Sequence, residues 1–255
     1  MKKINIFCFG FGQVAKNFIK KINTEKFSIN LSVTTREQSK AKQFNEIKYN
    51  NFIFNDEIFD NGLIENLKNS DHILISIPPI NGKDIVIKNF KEAIKECNPK
   101  WITYLSATSV YGDHRGEWVN EKSKTNPMSA GGIDRLAVEK LWMKFATNSK
   151  LPFQIFRLSG IYSNQKNILV RLKSGNVKLI NKKNQFFSRI HVEDIANVLF
   201  KSLLNFKTGE IYNISDDKPS SSEEVALYGV KLLNVDIPKV IEIKDIESEM
   251  LKNFY

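Results

Sequence analysis

Two spacings of apolar residues alternate through the first two-thirds of the chain. Lys2 to Phe9 (KKINIFCF) alternates and then runs apolar, the pattern of a strand buried in a parallel sheet. From Gln13 the spacing turns helical, with Val14, Ala15, Phe18, Ile19 and Ile22 sharing one face. The same reading predicts a second strand over Phe27 to Thr34, a short helix over Arg36 to Phe44 and a third strand over Asn51 to Phe54. Asp71 to Ile77 reads as a fourth strand cut off by Pro78-Pro79, and Asp84 to Cys97 as an amphipathic helix ended by Asn98-Pro99. A fifth strand over Trp101 to Leu105, a long helix within Ser129 to Thr147 and a sixth strand over Phe153 to Leu158 complete the series. Strands alternating with helices predict an α/β fold, a doubly wound parallel sheet of Rossmann type.

Beyond about Ser163 the pieces shorten. Ile168 to Lys173, Val177 to Ile180, and Arg189-Ile190 leading into a helix from Val192 to Leu204 come first; Ile211 to Ile214 and a helix from Ser221 to Leu233 follow. This predicts a larger domain over residues 1–162 and a smaller α/β lobe over 163–255, packed at the carboxyl edge of the sheet, with a soft boundary.

Composition changes this picture little. A 255-residue chain with 42% hydrophobic residues buries an ordinary globular core. Its net charge of +10 suggests nucleic acid or an anionic surface, but only six of its 38 basic residues are Arg. The Lys are scattered and no basic stripe forms, so neither nucleic acid nor membrane is expected as a partner. Acidic or phosphorylated small molecules fit the charge equally well. Cys8 and Cys97 make no disulfide framework, and no run approaches a membrane span. Lys2-Lys3 and the apolar run resemble a signal peptide, but glycines break the run and no small-residue cleavage site follows, so a cytoplasmic protein is expected.

The chemistry starts at Gly10-Phe11-Gly12-Gln13-Val14-Ala15, a G-x-G-x-x-A turn between a strand and a helix. There Gly10 allows the tight turn, Gly12 lets backbone approach a pyrophosphate, and the helix start (Gln13, Val14) offers free N–H groups to phosphate. An Asp or Glu at the end of the second strand would bond the ribose 2′-OH of NAD. This chain has Thr34-Thr35-Arg36, where hydroxyls and a guanidinium suit a 2′-phosphate, so NADP is favoured over NAD. Ile77, Pro78 and Pro79 end the fourth strand at the same edge, as a wall for ribose and phosphates or as a simple turn.

Tyr104-Leu105-Ser106-Ala107-Thr108-Ser109-Val110-Tyr111-Gly112-Asp113 resembles the extended short-chain dehydrogenase/reductases of the nucleotide-sugar epimerase/dehydratase type. Arg157–Tyr162 (RLSGIY), Ile190–Ala196 (IHVEDIA) and Tyr212–Pro219 (YNISDDKP) follow in the order of that family. Gly112 to Glu121 is closer still to an atypical subgroup, the YeeZ-like proteins. The resemblance implies a Rossmann fold, a bound NAD or NADP and hydride transfer on a small carbonyl, alcohol or sugar-derived substrate. It also implies a Tyr and a Lys four residues apart on one helix, with a Ser or Thr from the fifth strand. Counting back from Glu139 puts Gly131 at the tyrosine position and Arg135 at the lysine position, and Ala107 at the usual hydroxyl position. A guanidinium keeps the charge but cannot give up a proton.

Substitutes near the reacting carbon are Thr108, Tyr111 and Arg135, with Ser106 beside the cofactor. Tyr111 suits proton donation or packing. His191 is read as a cap or core residue or an acid–base, and Arg157 and Arg189 as anion ligands or partners of carboxylates. The resemblance implies more of the substrate lobe beyond Tyr255, so the chain reads as naturally short or truncated, its pocket incomplete or completed by another subunit. His72, His114 and His191 are spread out and neither Cys has ligand spacing, so no metal is expected. The sequence reading is an NAD(P)-binding oxidoreductase or epimerase-type enzyme acting on a small molecule, with a homodimer as the assembly to test. A non-catalytic NAD(P)-binding redox sensor or regulatory protein is the alternative.

Overall fold

A computed structural model describes residues 3–37, 43–175, 177–180, 185–242 and 244. The chain divides into two compact units, each assembled from three segments. One holds Met1–Ala107, Asp134–Arg157 and Val192–Tyr212; the other holds Thr108–Ile133, Leu158–His191 and Asn213–Tyr255.

The strands are β1 (Lys3–Phe9), β2 (Ser28–Thr35), β3 (Gln43–Phe44), β4 (Ile47–Ile53), β5 (His72–Ile75), β6 (Trp101–Ala107), β7 (Phe153–Leu158), β8 (Gly160–Tyr162), β9 (Leu179–Ile180), β10 (Arg189–His191), β11 (Ile211–Ile214) and β12 (Val240–Ile241). The helices are α1 (Gln13–Thr24), α2 (Leu63–Lys68), α3 (Ile85–Glu96), α4 (Ala130–Asn148), α5 (Ile168–Lys173), α6 (Val192–Leu204) and α7 (Ser222–Leu233).

Eight strands form one sheet in the order β11-β7-β6-β5-β1-β2-β4-β3. The pairs β1–β2, β2–β4, β1–β5 and β5–β6 are parallel. From β1 the chain works outward through β2 and β4, then crosses back to β5 on the other side of β1. The carboxyl ends of β1 and β5 therefore flank the switch point where ligands of such sheets bind.

Central strands are buried on both faces, so their apolar runs are continuous rather than alternating. On one face Phe7, Phe9, Ile102 and Tyr104 pack with Phe90 of α3 and Trp142 of α4. The Trp142 ring stacks on Phe153 at 5.5 Å. On the other face α1 buries the five predicted residues, Val14, Ala15, Phe18, Ile19 and Ile22, and Phe18 stacks on Trp101 at 5.8 Å. In the second unit, β8 pairs with β10 and β9 with β12, both parallel. There α5 and α7 approach closely enough that a Cβ on Gly229 would lie 2.7 Å from Leu172 Cδ1. Among the described residues no helix is long and apolar enough to cross a membrane.

The helix expected over Arg36 to Phe44 is corrected where it can be seen. Arg36 and Glu37 are not helical, and Gln43–Phe44 is a strand paired antiparallel to Ile47 and Lys48; residues 38–42 lie outside the described ones. Asn45 (φ 47°) and Glu46 (φ 66°) are both left-handed, the geometry of a two-residue hairpin turn. Phe44 then packs edge-on against Phe11 at 5.6 Å. The strand placed at Asn51 starts at Ile47, because Tyr49 also packs against Phe11, at 5.2 Å. The short helix α2 and strands β8 and β12 went unread, being too short to show a period.

Candidate functional site

The glycine turn sits at the carboxyl end of β1. Gly10 has φ +88°, and a Cβ there would lie 2.7 Å from Ser76 Oγ and 3.2 Å from Ile77 Cγ1. The protein itself therefore requires glycine at this position. Gly12 is different: its backbone is extended (φ −82°, ψ −168°), and a Cβ would meet nothing within 4 Å among the described residues. It is the N-cap of α1 and offers no side-chain acceptor to the first N–H groups of Gln13 and Val14, and the first turn carries no acid. An uncapped helix start beside an empty Cβ position is a cradle that fits a phosphate group.

Neighbouring strands brace this cradle. Thr34, read as half of a hydroxyl pair for phosphate, is buried, and its Oγ1 accepts the Gly10 N–H at 2.8 Å. It is thereby removed from the ligand side, and only Thr35 and Arg36 remain there. The Thr35 hydroxyl lies between Glu37 O (2.7 Å) and Asn51 Oδ1 (3.0 Å), and Arg36 is exposed. Ser76 Oγ donates to Phe9 O and Gly10 O at 3.0 and 3.1 Å. This ties the Ile77-Pro78-Pro79 loop to the glycine turn, with Pro78 exposed and Ile77 and Pro79 half-buried. The structure thus groups the predicted cofactor residues of β1, α1, β2 and the loop after β5 around one edge. Sequence reasoning missed the bracing roles of Thr34 and Ser76; a small hydroxyl residue within one position of a strand's carboxyl end was the available signal.

At the end of β6, Ser106 is buried and its Oγ has no hydrogen-bond partner among the described residues. Arg135, from the second turn of α4, reaches Leu105 O at 3.4 Å. Behind it lies a buried polar cluster. Glu139 takes a two-oxygen pair from Arg157, with Nη2–Oε2 at 2.7 Å and Nε–Oε1 at 3.1 Å. Arg157 is therefore a structural partner of a carboxylate. Asp84 caps α3, accepting from Ile87 N at 2.8 Å and Trp142 Nε1 at 3.0 Å. Burial raises its pKa above the usual aspartate value against those two donors. Burial also raises the Tyr104 phenol strongly, with the Asp84 charge adding to the rise and Arg135 opposing it.

The remaining candidates belong to the second unit. Thr108 opens a short 3₁₀ turn (Thr108–Val110) and its carbonyl accepts from Tyr111 N at 3.0 Å. Tyr111 is buried and its hydroxyl donates to Asn213 Oδ1 at 2.7 Å. Packing thus accounts for this side chain. Gly112 (φ +74°) is essential locally, since a Cβ would sit 1.9 Å from Asn126 O. Arg189 donates to the carbonyls of Phe187 and Ser220 at 2.9 and 3.0 Å. His191 ends β10 with its ring 5.1 Å from that of Tyr162. Among the described residues no group of three His, Cys, Asp or Glu is placed to hold a metal.

The sequence model of the NAD dependent epimerase/dehydratase family matches residues 86–215, just over half the chain. A functionally unknown conserved protein from Silicibacter pomeroyi DSS has a similar structure, with a TM-score of 0.87 and 30% identity over 99% of this chain and 86% of that one. UDP-glucuronic acid 4-epimerase from Bacillus cereus, solved in complex with NAD, superposes with a TM-score of 0.77 at 17% identity over 94% of this chain and 87% of that one. UDP-N-acetylglucosamine 4-epimerase from Bacillus cereus gives 0.74 at 20% identity over 94% and 85%. No curated protein matches the chain.

Proposed function

We propose, from the premise that this chain belongs to the NAD dependent epimerase/dehydratase family, that it binds a nicotinamide dinucleotide across Gly10–Ala15 and transfers hydride to or from a small carbonyl, alcohol or sugar-derived substrate. The observation that carries this reading is Gly12, a glycine that nothing among the described residues requires, placed at the uncapped start of α1. In this reading Gly10, Gly12, Gln13 and Val14 hold the pyrophosphate. Thr35 and Arg36 hold the adenosine ribose, Ile77, Pro78 and Pro79 wall the site, and Ser106 lies toward the nicotinamide. Bound there, the dinucleotide supplies or accepts the hydride.

The exposed Arg36 supports NADP over NAD, because a guanidinium offers paired, charge-assisted donors to a 2′-phosphate. Arg135 stands in for the ammonium that would lower a phenol's pKa, and Gly131 stands where that phenol would be. Proton transfer in this reading falls to Thr108, Tyr111 or a substrate group. Tyr111 must first release Asn213. That commitment, with the glycine at position 131, favours the second reading, a dinucleotide-binding protein without catalysis.

Fluorescence titration with NADPH and NADH, repeated on Gly12→Asp, tests the site. Binding abolished by the carboxylate supports it; failure of both nucleotides to bind the wild type removes both readings. Arg36→Glu should weaken NADPH by about tenfold or more while sparing NADH, and an unchanged preference removes the NADP assignment. A carbonyl and sugar-nucleotide screen on protein that binds nucleotide then separates enzyme from sensor.

A further inference from the structure

Two buried acids around the end of β6, Glu139 and Asp84, are committed to partners, and one base has no carboxylate among the described residues. Glu139 is held by Arg157, whose guanidinium gives it both Nε and Nη2. Asp84 spends its two oxygens on the start of α3 and the Trp142 indole. Arg135, half-buried, pairs with no carboxylate among the described residues, and its hydrogen bond to Leu105 O is stretched to 3.4 Å.

The residue after Leu105 is Ser106, 3% exposed with an unpartnered hydroxyl. A native chain leaves few buried polar atoms unpaired, and such orphans mark places where something from outside completes the bonding. Here two buried hydroxyls, Ser106 Oγ and the Tyr104 phenol toward which Arg135 reaches, have no hydrogen-bond partner among the described residues. The guanidinium has no carboxylate among them, so what this set of donors lacks is an acceptor. Donors in surplus over acceptors select an anion, and the planar fork of an Arg selects a planar one.

We propose that Arg135 and Ser106 form a carboxylate subsite, so that the substrate is a carbonyl or alcohol compound carrying a carboxylate rather than a neutral one. This deepens the dinucleotide-dependent reading and rests on it for the chemistry, though not for the binding. The anion draws the Arg135 fork from Leu105 O and takes the Ser106 hydroxyl as a further donor. Arg135 acts as a binding residue: it orients the acid group, and its charge never leaves it.

The test uses the full chain and pyruvate, with the isosteric neutral amide pyruvamide as control, titrated by calorimetry with and without saturating NADPH or NADH. Wild type should prefer pyruvate by at least about tenfold, the scale of a lost charge-assisted hydrogen bond. Arg135→Gln should erase that preference, and Ser106→Ala should weaken pyruvate severalfold without lowering the unfolding midpoint. Equal affinity for acid and amide in the wild type, or a preference surviving Arg135→Gln, overturns the proposal. So does a loss of nucleotide affinity in Arg135→Gln with pyruvate untouched, since the guanidinium then serves the cofactor's phosphates. A wild type that binds pyruvate but no nucleotide would sink the dinucleotide reading and leave the carboxylate subsite standing.

Discussion

At residue scale the glycines divide by what a methyl group would meet. Gly12 and Gly131 face open space, whereas Gly112 and Gly132 face backbone oxygens, at 1.9 Å from Asn126 O and 2.7 Å from Ser109 O. Gly131→Ala, in the first turn of α4, should therefore stabilise the protein by about 0.5 kcal/mol through the unfolded chain's lost freedom. Gly112→Ala combines a clash with a positive φ and should cost at least about 2 kcal/mol; urea unfolding measures both. Gly12→Ala should leave the unfolding midpoint unchanged yet weaken NADPH or NADH binding, and a loss of stability instead would mean the position serves the fold. The G-x-G-x-x-A spacing assigns the tight turn to Gly10 and the phosphate approach to Gly12. The tertiary structure adds the physical basis of that division, with Ser76 placed beside Gly10 and nothing among the described residues within 4 Å of a Cβ on Gly12.

At the scale of elements, polar pairs buried between strands and helices hold the frame of the site. Glu139 on α4 and Arg157 on β7 are 3% and 5% exposed at their side chains. Glu139→Ala leaves a guanidinium buried without its counter-charge and should cost about 3–5 kcal/mol, read from the denaturation midpoint. Two aspartates give opposite pH signatures. Asp84 has a raised folded pKa, so its contribution to the folded state is fully present below the ordinary aspartate value and is lost as pH rises from there through the raised folded value. Wild type should lose stability relative to Asp84→Asn between pH 4 and neutrality. For Asp71, burial pushes the pKa up, but hydrogen bonds from Lys100 and the Asn5 N–H outweigh it and the net shift is down. Its contribution is present above the unfolded value and disappears as pH falls through the folded one, so acid should weaken wild type relative to Asp71→Asn. Chemical denaturation across pH 2 to 7 distinguishes the two slopes.

At whole-molecule scale, the predicted cofactor residues all belong to the unit built on the large sheet. Saturating nucleotide at about 100 times its dissociation constant should raise stability by about 2.7 kcal/mol. If calorimetry resolves two transitions, only the one belonging to that unit should move. The main alternation of strands and helices, the face of α1 that is buried and the position of the glycine turn were legible along the chain, whereas α2, β8, β12 and the hairpin at Gln43–Phe44 were not. The legible features rest on spacings of two and 3.6 residues and on glycine's backbone freedom, which are local properties. Other features depend on groups far apart in sequence. Thr34 turns inward to Gly10, Glu139 pairs with Arg157, and Phe44 forms a hairpin edge against Phe11 instead of a helix. Among the described residues Arg135 remains without a carboxylate, because the fold commits Glu139 and Asp84 elsewhere. Periodicity names the elements, while the partner a polar group finds, or lacks, is decided by packing that brings distant segments within hydrogen-bond reach.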